Sequence, residues 1–88
     1  MEEKFALISQ IRRAALSVHL NVAEGVSRKS EIERKLFFEI ARGSVVEVDA
    51  ALDVANDLGY INKNIDSIGV LLIKCFKILS ALIKTKPH

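Results

Sequence analysis

The chain has no tryptophan, one tyrosine, one cysteine, one proline and four glycines in 88 residues. A single cysteine, Cys75, excludes an internal disulfide and any zinc site built on repeated Cys pairs, and fits a reducing, cytoplasmic setting. The scarcity of proline and glycine leaves few forced breaks, and with Leu, Ile, Val and Ala dominant it favours helices throughout. No apolar run reaches the roughly 18 residues of a membrane span, and the opening MEEK is acidic where a secretion signal is basic, so no membrane association is expected. Charge of one sign is also lacking. Thirteen Lys and Arg against eleven Asp and Glu give a formal net charge of +2, too small to announce a nucleic-acid binder by itself.

Half of the residues are hydrophobic, and they recur at helical spacing in three segments. The first, about residues 3–24, carries Leu7, Ile8, Ile11, Ala15, Val18 and Val22 on one stripe and is expected to stop at Gly25. The second, 31–58, opens with the capping box Ser30 to Glu33, presents Ile32, Leu36, Ile40, Gly43, Ala50, Val54 and Leu58 as its core face, and ends at Gly59. The third, about 64–85, is capped by Asn62 or Asn64, follows Ile65, Ile68, Leu72, Cys75, Leu79 and Leu82, and gives way to Pro87. There is no repeat, no low-complexity tract and no strand pattern. Short connections make neighbours antiparallel, so residues 1–88 predict one all-α, up-down helical bundle domain.

Antiparallel packing collects Arg28, Lys29, Arg34, Lys35, Lys84 and Lys86 at one end, as a candidate nucleic-acid-binding patch, and Glu2, Glu3, Asp53, Asp57 and Asp66 at the other. Apolar residues off the main stripes, Phe5, Leu16, Leu20 and Ala23 on the first helix and Leu71 and Ile78 on the third, point to cover by a partner chain.

Polar residues inside the helices have two readings. Gln10, Arg13, Ser17, Asn21 and Glu24 fall on one strip of the first helix; Gln10, Arg13, Asn21 and Glu24 are candidates for an intersubunit or ligand surface. Glu47 falls inside the expected core face of the second helix, where an unpaired carboxylate is costly, so it is expected to be buried in a structural ion pair with Arg12, or with Arg13 as second choice. Arg13 and His19 reproduce the Arg, five residues, His spacing of the helical HEPN ribonucleases; with no second histidine nearby, this catalytic alternative ranks below an architectural one. Gly43 and Ser44 in ARGS suggest a close helix contact, and Cys75 a small buried hydrophobe. Neither a metal nor a cofactor is expected.

The strings SQIRRAALSVHLNVAEGVSRKS and FFEIARGSVVEVDAALDVANDLGYI resemble the 23S rRNA intervening-sequence protein family of four-helix-bundle proteins, with QIRRA, NVAEG, ARGS with the following Glu47, and LGYI in family order. The resemblance covers residues 2 to about 61 closely. It implies a helical bundle that assembles into a ring-like homopentamer and has no established enzymatic activity. It also implies kinship with the accessory variability protein of diversity-generating retroelements, a basic pentamer that binds nucleic acid and a reverse transcriptase. RNA, DNA and a reverse-transcriptase-like protein are therefore the expected partners. Two departures stand out: the family's usual first helix is expected to be missing, and His19 stands where the family usually has proline.

Overall fold

A computed structural model describes residues 2–61 and 66–84, and within them places three helices: α1 (Glu2–Ser27), α2 (Glu31–Asp57) and α3 (Asp66–Lys84). Met1, the cap candidates Asn62 and Asn64, Ile65, Lys86 and Pro87 lie outside the described residues. The all-α, antiparallel architecture is as the periodicity predicts, and α2 is its centre. Ser17 of α1 meets Ser44 of α2, and Gly25 meets Phe38, so the two helices run in opposite directions. Arg42 of α2 reaches Ser80 of α3, while Asp53 shares a cleft with Gly69, so α3 is antiparallel to α2 as well. α1 and α3 each pack on α2 and nowhere bring Cα atoms within 8 Å of each other. The result is a flat layer measuring 50 × 23 × 13 Å, barely more than one helix thick.

The helix ends follow local chemistry. Ser30 caps α2, its Oγ accepting from the Glu33 backbone N–H at 3.4 Å. At the other end Gly59 adopts φ +77° and its N–H donates to the Asn56 carbonyl, while the Tyr60 N–H donates to the Ala55 carbonyl at 2.9 Å. That pair of bonds is a Schellman cap, which needs a residue free to enter the left-handed region. Gly25 does something else. α1 runs through it to Ser27, and a Cβ at Gly25 would lie 2.5 Å from Cε1 of Phe38. Its role is close approach, not termination.

The packing corrects the expected face of α2. Its buried residues are Phe38, Ala41, Ser44, Val45, Val48, Ala51 and Ala55. The expected stripe is exposed, from Ile32 at 82% to Ile40, Val54 and Leu58, and Gly43 has nothing within 4 Å of a Cβ position. The reason is size. Ala41, Ser44, Ala51 and Ala55 let α1 approach closely with Ala14 and Gly25 opposite, a seam that a stripe of large residues cannot make. α2 therefore carries two apolar faces, and the one with the larger side chains is uncovered. On α1 the expected stripe is on the correct side except that Ala14, not Ala15, is buried. On α3 Leu79 is buried and Leu72 half-buried, but Ile68, Leu82 and Cys75 are exposed, so Cys75 is not a core residue.

Glu47 follows the same correction and is exposed. It lines a cleft with Gln10, Arg13 and Ser17, whereas Arg12 lines a different cleft, with Ile8, Ile11 and Leu52. The two residues flank opposite sides of α1, and among the described residues the only ion pair joins Arg28 to Glu24.

Two substitutions check this packing by chemical denaturation. Gly25→Ala should destabilise by about 1–3 kcal/mol, the range for overpacking a closed contact. Glu47→Ala should change stability by no more than about 0.5 kcal/mol, as at an ordinary surface position.

Candidate nucleic-acid interface and polar seam

Because α2 begins where α3 ends, the turn before α2 and the last turns of α3 share one end of the layer. Of the six cations expected there, Lys86 lies outside the described residues, and the other five divide by what they do. Arg28 is half-buried and engaged. Its Nη2 donates to Glu24 Oε2 at 2.7 Å, its guanidinium lies 5.0 Å from the centroid of the Phe37 ring, and its buried Nε has no partner among the described residues. Arg34 Nε donates to the Arg28 backbone carbonyl at 2.5 Å, which ties the turn to the first turn of α2. These two arginines hold the turn together and keep only part of their donor capacity for a ligand. Lys29, Lys35 and Lys84 engage no hydrogen bond or ion pair among the described residues, and Lys29 and Lys84 are exposed.

Two more cations belong to this surface and were not singled out in the sequence. Arg42 Nη1 donates to Ser80 Oγ at 3.1 Å and its guanidinium sits 5.6 Å from the Phe76 ring centroid. Lys77 lines the cleft beside Phe76, with Val46 and Asp49 across it. Lys35 and Arg42 are seven residues apart on α2, and Lys77 and Lys84 seven apart on α3. Seven residues return to nearly the same helical face, so each pair forms a short column beside the α2–α3 seam. That repeated spacing is the signal in the sequence that could have found them. Glu39 on α2, and Glu31 and Glu33 in its first turn, oppose the positive field locally.

The polar strip of α1 divides similarly. Gln10 and Arg13 face the cleft shared with Glu47. Ser17 Oγ and Ser44 Oγ are 2.7 Å apart, Ser44 also donates to the Ile40 carbonyl, and Asn21 Nδ2 donates to the Ser17 carbonyl at 2.8 Å. Asn21 and Ser17 are thus spent on the α1–α2 contact, and Glu24 on Arg28. Of the ARGS contact expected at Gly43 and Ser44, only Ser44 takes part. Arg13 and His19 do not converge: six residues advance a helix by about 600°, leaving the two side chains roughly 120° apart. His19 is exposed and lies outside the cleft that Arg13 lines. Among the described residues no group of three or more His, Cys, Asp or Glu could hold a metal ion, and no helix is long and apolar enough to cross a membrane.

Comparison with known proteins places this geometry in a family. No curated protein and no solved structure matches the chain. The family model described as 23S rRNA-intervening sequence protein matches residues 1–81, which takes in α1, α2, the turn carrying Arg28 and Lys29, and most of α3. A match over that much of the sequence means that the chain belongs to the 23S rRNA-intervening sequence protein family.

Proposed function

We propose that this chain is a non-enzymatic, self-associating helical module whose basic end holds the phosphate backbone of RNA or DNA. The observation that carries the reading is the convergence of Lys29, Lys35 and Lys84, none of them engaged by another described residue, with the columns Lys35/Arg42 and Lys77/Lys84 beside one seam. Phosphate recognition asks for positive charge spread along a surface, not for a pocket, and two columns on adjacent helices provide that spread. The first backbone N–H groups of α2 add donors at the same end, although Ser30 and the acidic first turn take up part of their field. The family description names a 23S rRNA-intervening sequence, which makes RNA the first ligand to test. Self-association is supported by the exposed apolar faces of all three helices, and it would repeat the basic end once per copy, so that weak contacts add through multivalency.

Anisotropy titrations with labelled RNA and DNA test the reading. Affinity should fall steeply between about 50 and 200 mM salt and differ little among sequences. Lys29→Glu with Lys35→Glu should weaken binding to every sequence alike and lower the salt slope by about two. Absence of any RNA or DNA binding at about 50 mM salt would sink the reading and leave a purely structural oligomer in its place. RNA cleavage that is lost in His19→Ala would sink its non-enzymatic part.

A further inference from the structure

The seam between α2 and α3 carries more than charge. At the inner end of the two cationic columns lies a cleft of about 270 Å³, with Val46 and Asp49 of α2 on one wall and Ile73, Phe76 and Lys77 of α3 on the other. Its lining is mostly apolar, and Phe76 is 40% exposed, so the ring is reachable from solvent. The volume falls just below the ~300 Å³ at which pockets for drug-sized ligands begin, which suits one flat ring system and not a large cofactor.

Phe76 is held from outside this cleft. Arg42 sets its guanidinium 5.6 Å from the ring centroid, and Ser80 Oγ fixes Arg42 by accepting from Nη1 at 3.1 Å. The ring lines the cleft and Arg42 does not, so the ring has a fixed cationic neighbour on one side and free space on another. An exposed ring braced in this way is a stacking platform that needs little ordering before a ligand arrives. The pairing recurs near the other end of the α2 column, where Arg28 lies 5.0 Å from the Phe37 ring centroid.

We propose that the cleft takes one unpaired base of a single-stranded nucleic acid, stacked on Phe76, while the adjoining phosphates lie along Lys77 and Lys84. This rests on the phosphate-binding reading above and narrows its ligand to single strands. Three features favour a base. First, the apolar lining offers an anion nothing and Asp49 repels it, so the uncharged part of a nucleotide enters, and its N–H groups find an acceptor in the Asp49 carboxylate. Second, Lys77 lines the cleft and also begins the α3 column, with Lys84 two turns or about 10.5 Å further on. Positive charge for a backbone therefore starts at the lip of the cleft. Third, a base inside a duplex is covered on both faces by its neighbours, so only an unstacked base can lie on the ring.

Anisotropy titrations at about 50 mM salt, with three probes of equal length, test the proposal: a mixed-sequence single-stranded RNA, its duplex, and an abasic strand that keeps the sugar–phosphate backbone without bases. The full chain should bind the single strand about 5- to 150-fold more tightly than the abasic strand, the range for one stacked base. Phe76→Leu should remove that advantage, leave abasic-strand and duplex affinities unchanged, and keep the salt slope, because no ionic contact is lost. Lys29→Glu with Lys35→Glu should instead weaken all three probes. The chain has no tryptophan, so Phe76→Trp installs a single reporter whose emission should be quenched by the single strand and not by the abasic one. Equal binding of the single and abasic strands, with Phe76→Leu without effect, overturns the stacking proposal and leaves the phosphate reading standing. An equal loss on all three probes in Phe76→Leu, or a change of its mass in light scattering, makes the ring a packing contact within or between chains and also overturns it. Binding of none of the three probes overturns both.

Discussion

The contact between Gly25 and the Phe38 ring sets the layer. The ring occupies the space a side chain at Gly25 would need, so it fixes how far α1 slides along α2 and how closely the two approach. Ser17 and Ser44, two turns further on, then meet at hydrogen-bond distance, and Ala14 is buried in the same seam. The same ring belongs to the cluster with Ala41, Val45 and Leu79 that seats α3. One aromatic side chain thus couples both helix contacts, close to the turn carrying Arg28 and Lys29.

A seam of small residues has a consequence for everything outside it. Close approach uses Gly, Ala and Ser, which bury little apolar area each, so the larger side chains end up on faces that one layer cannot cover. Ile32, Leu36 and Ile40 on α2 and Leu16 and Leu20 on α1 stand in water for this reason. Those larger side chains are the surface on which the self-association proposed above would draw.

This also explains what the sequence disclosed and what it did not. Helix spans, the Ser30 cap and the Gly59 terminus are local chemistry, and each is legible from a few neighbouring residues. The rotation of α2 is not, because two apolar stripes compete and the one with larger side chains looks like the core when size is taken as the guide. Glu47 went with that choice: it falls among Ile40, Ala50 and Val54, but those residues are themselves exposed. A glycine near a helix end usually stops it, which is what sequence alone suggests for Gly25; admitting a ring from another helix depends on a tertiary contact. At the basic end the cations nearest the helix ends are legible from chain order alone, while Arg42 and Lys77 show in sequence only as the seven-residue spacing from Lys35 and Lys84, and their place beside the seam is set by the register of α2 on α3. That Arg28 and Arg34 brace the turn could not be seen without their partners, Glu24 and the Arg28 carbonyl.

Net charge is a poor guide to this molecule because its charges are sorted by position. The layer is 50 Å long, and the antiparallel order of its helices puts Glu2, Glu3, Asp53, Asp57 and Asp66 at one end and the lysines and arginines around the α2 N-terminus at the other. At physiological ionic strength the Debye length is about 8 Å. The acidic end is several such lengths away, so its field has died out before it reaches the basic end, and a polyanion arriving there meets the local cations and not the formal charge of +2. Lowering the salt lengthens that reach and would let the acidic end oppose the binding proposed above, while it would also strengthen each phosphate contact through counterion release. For contacts within a few ångströms the second effect dominates, so the basic end behaves as a small polycation carried on a nearly neutral body.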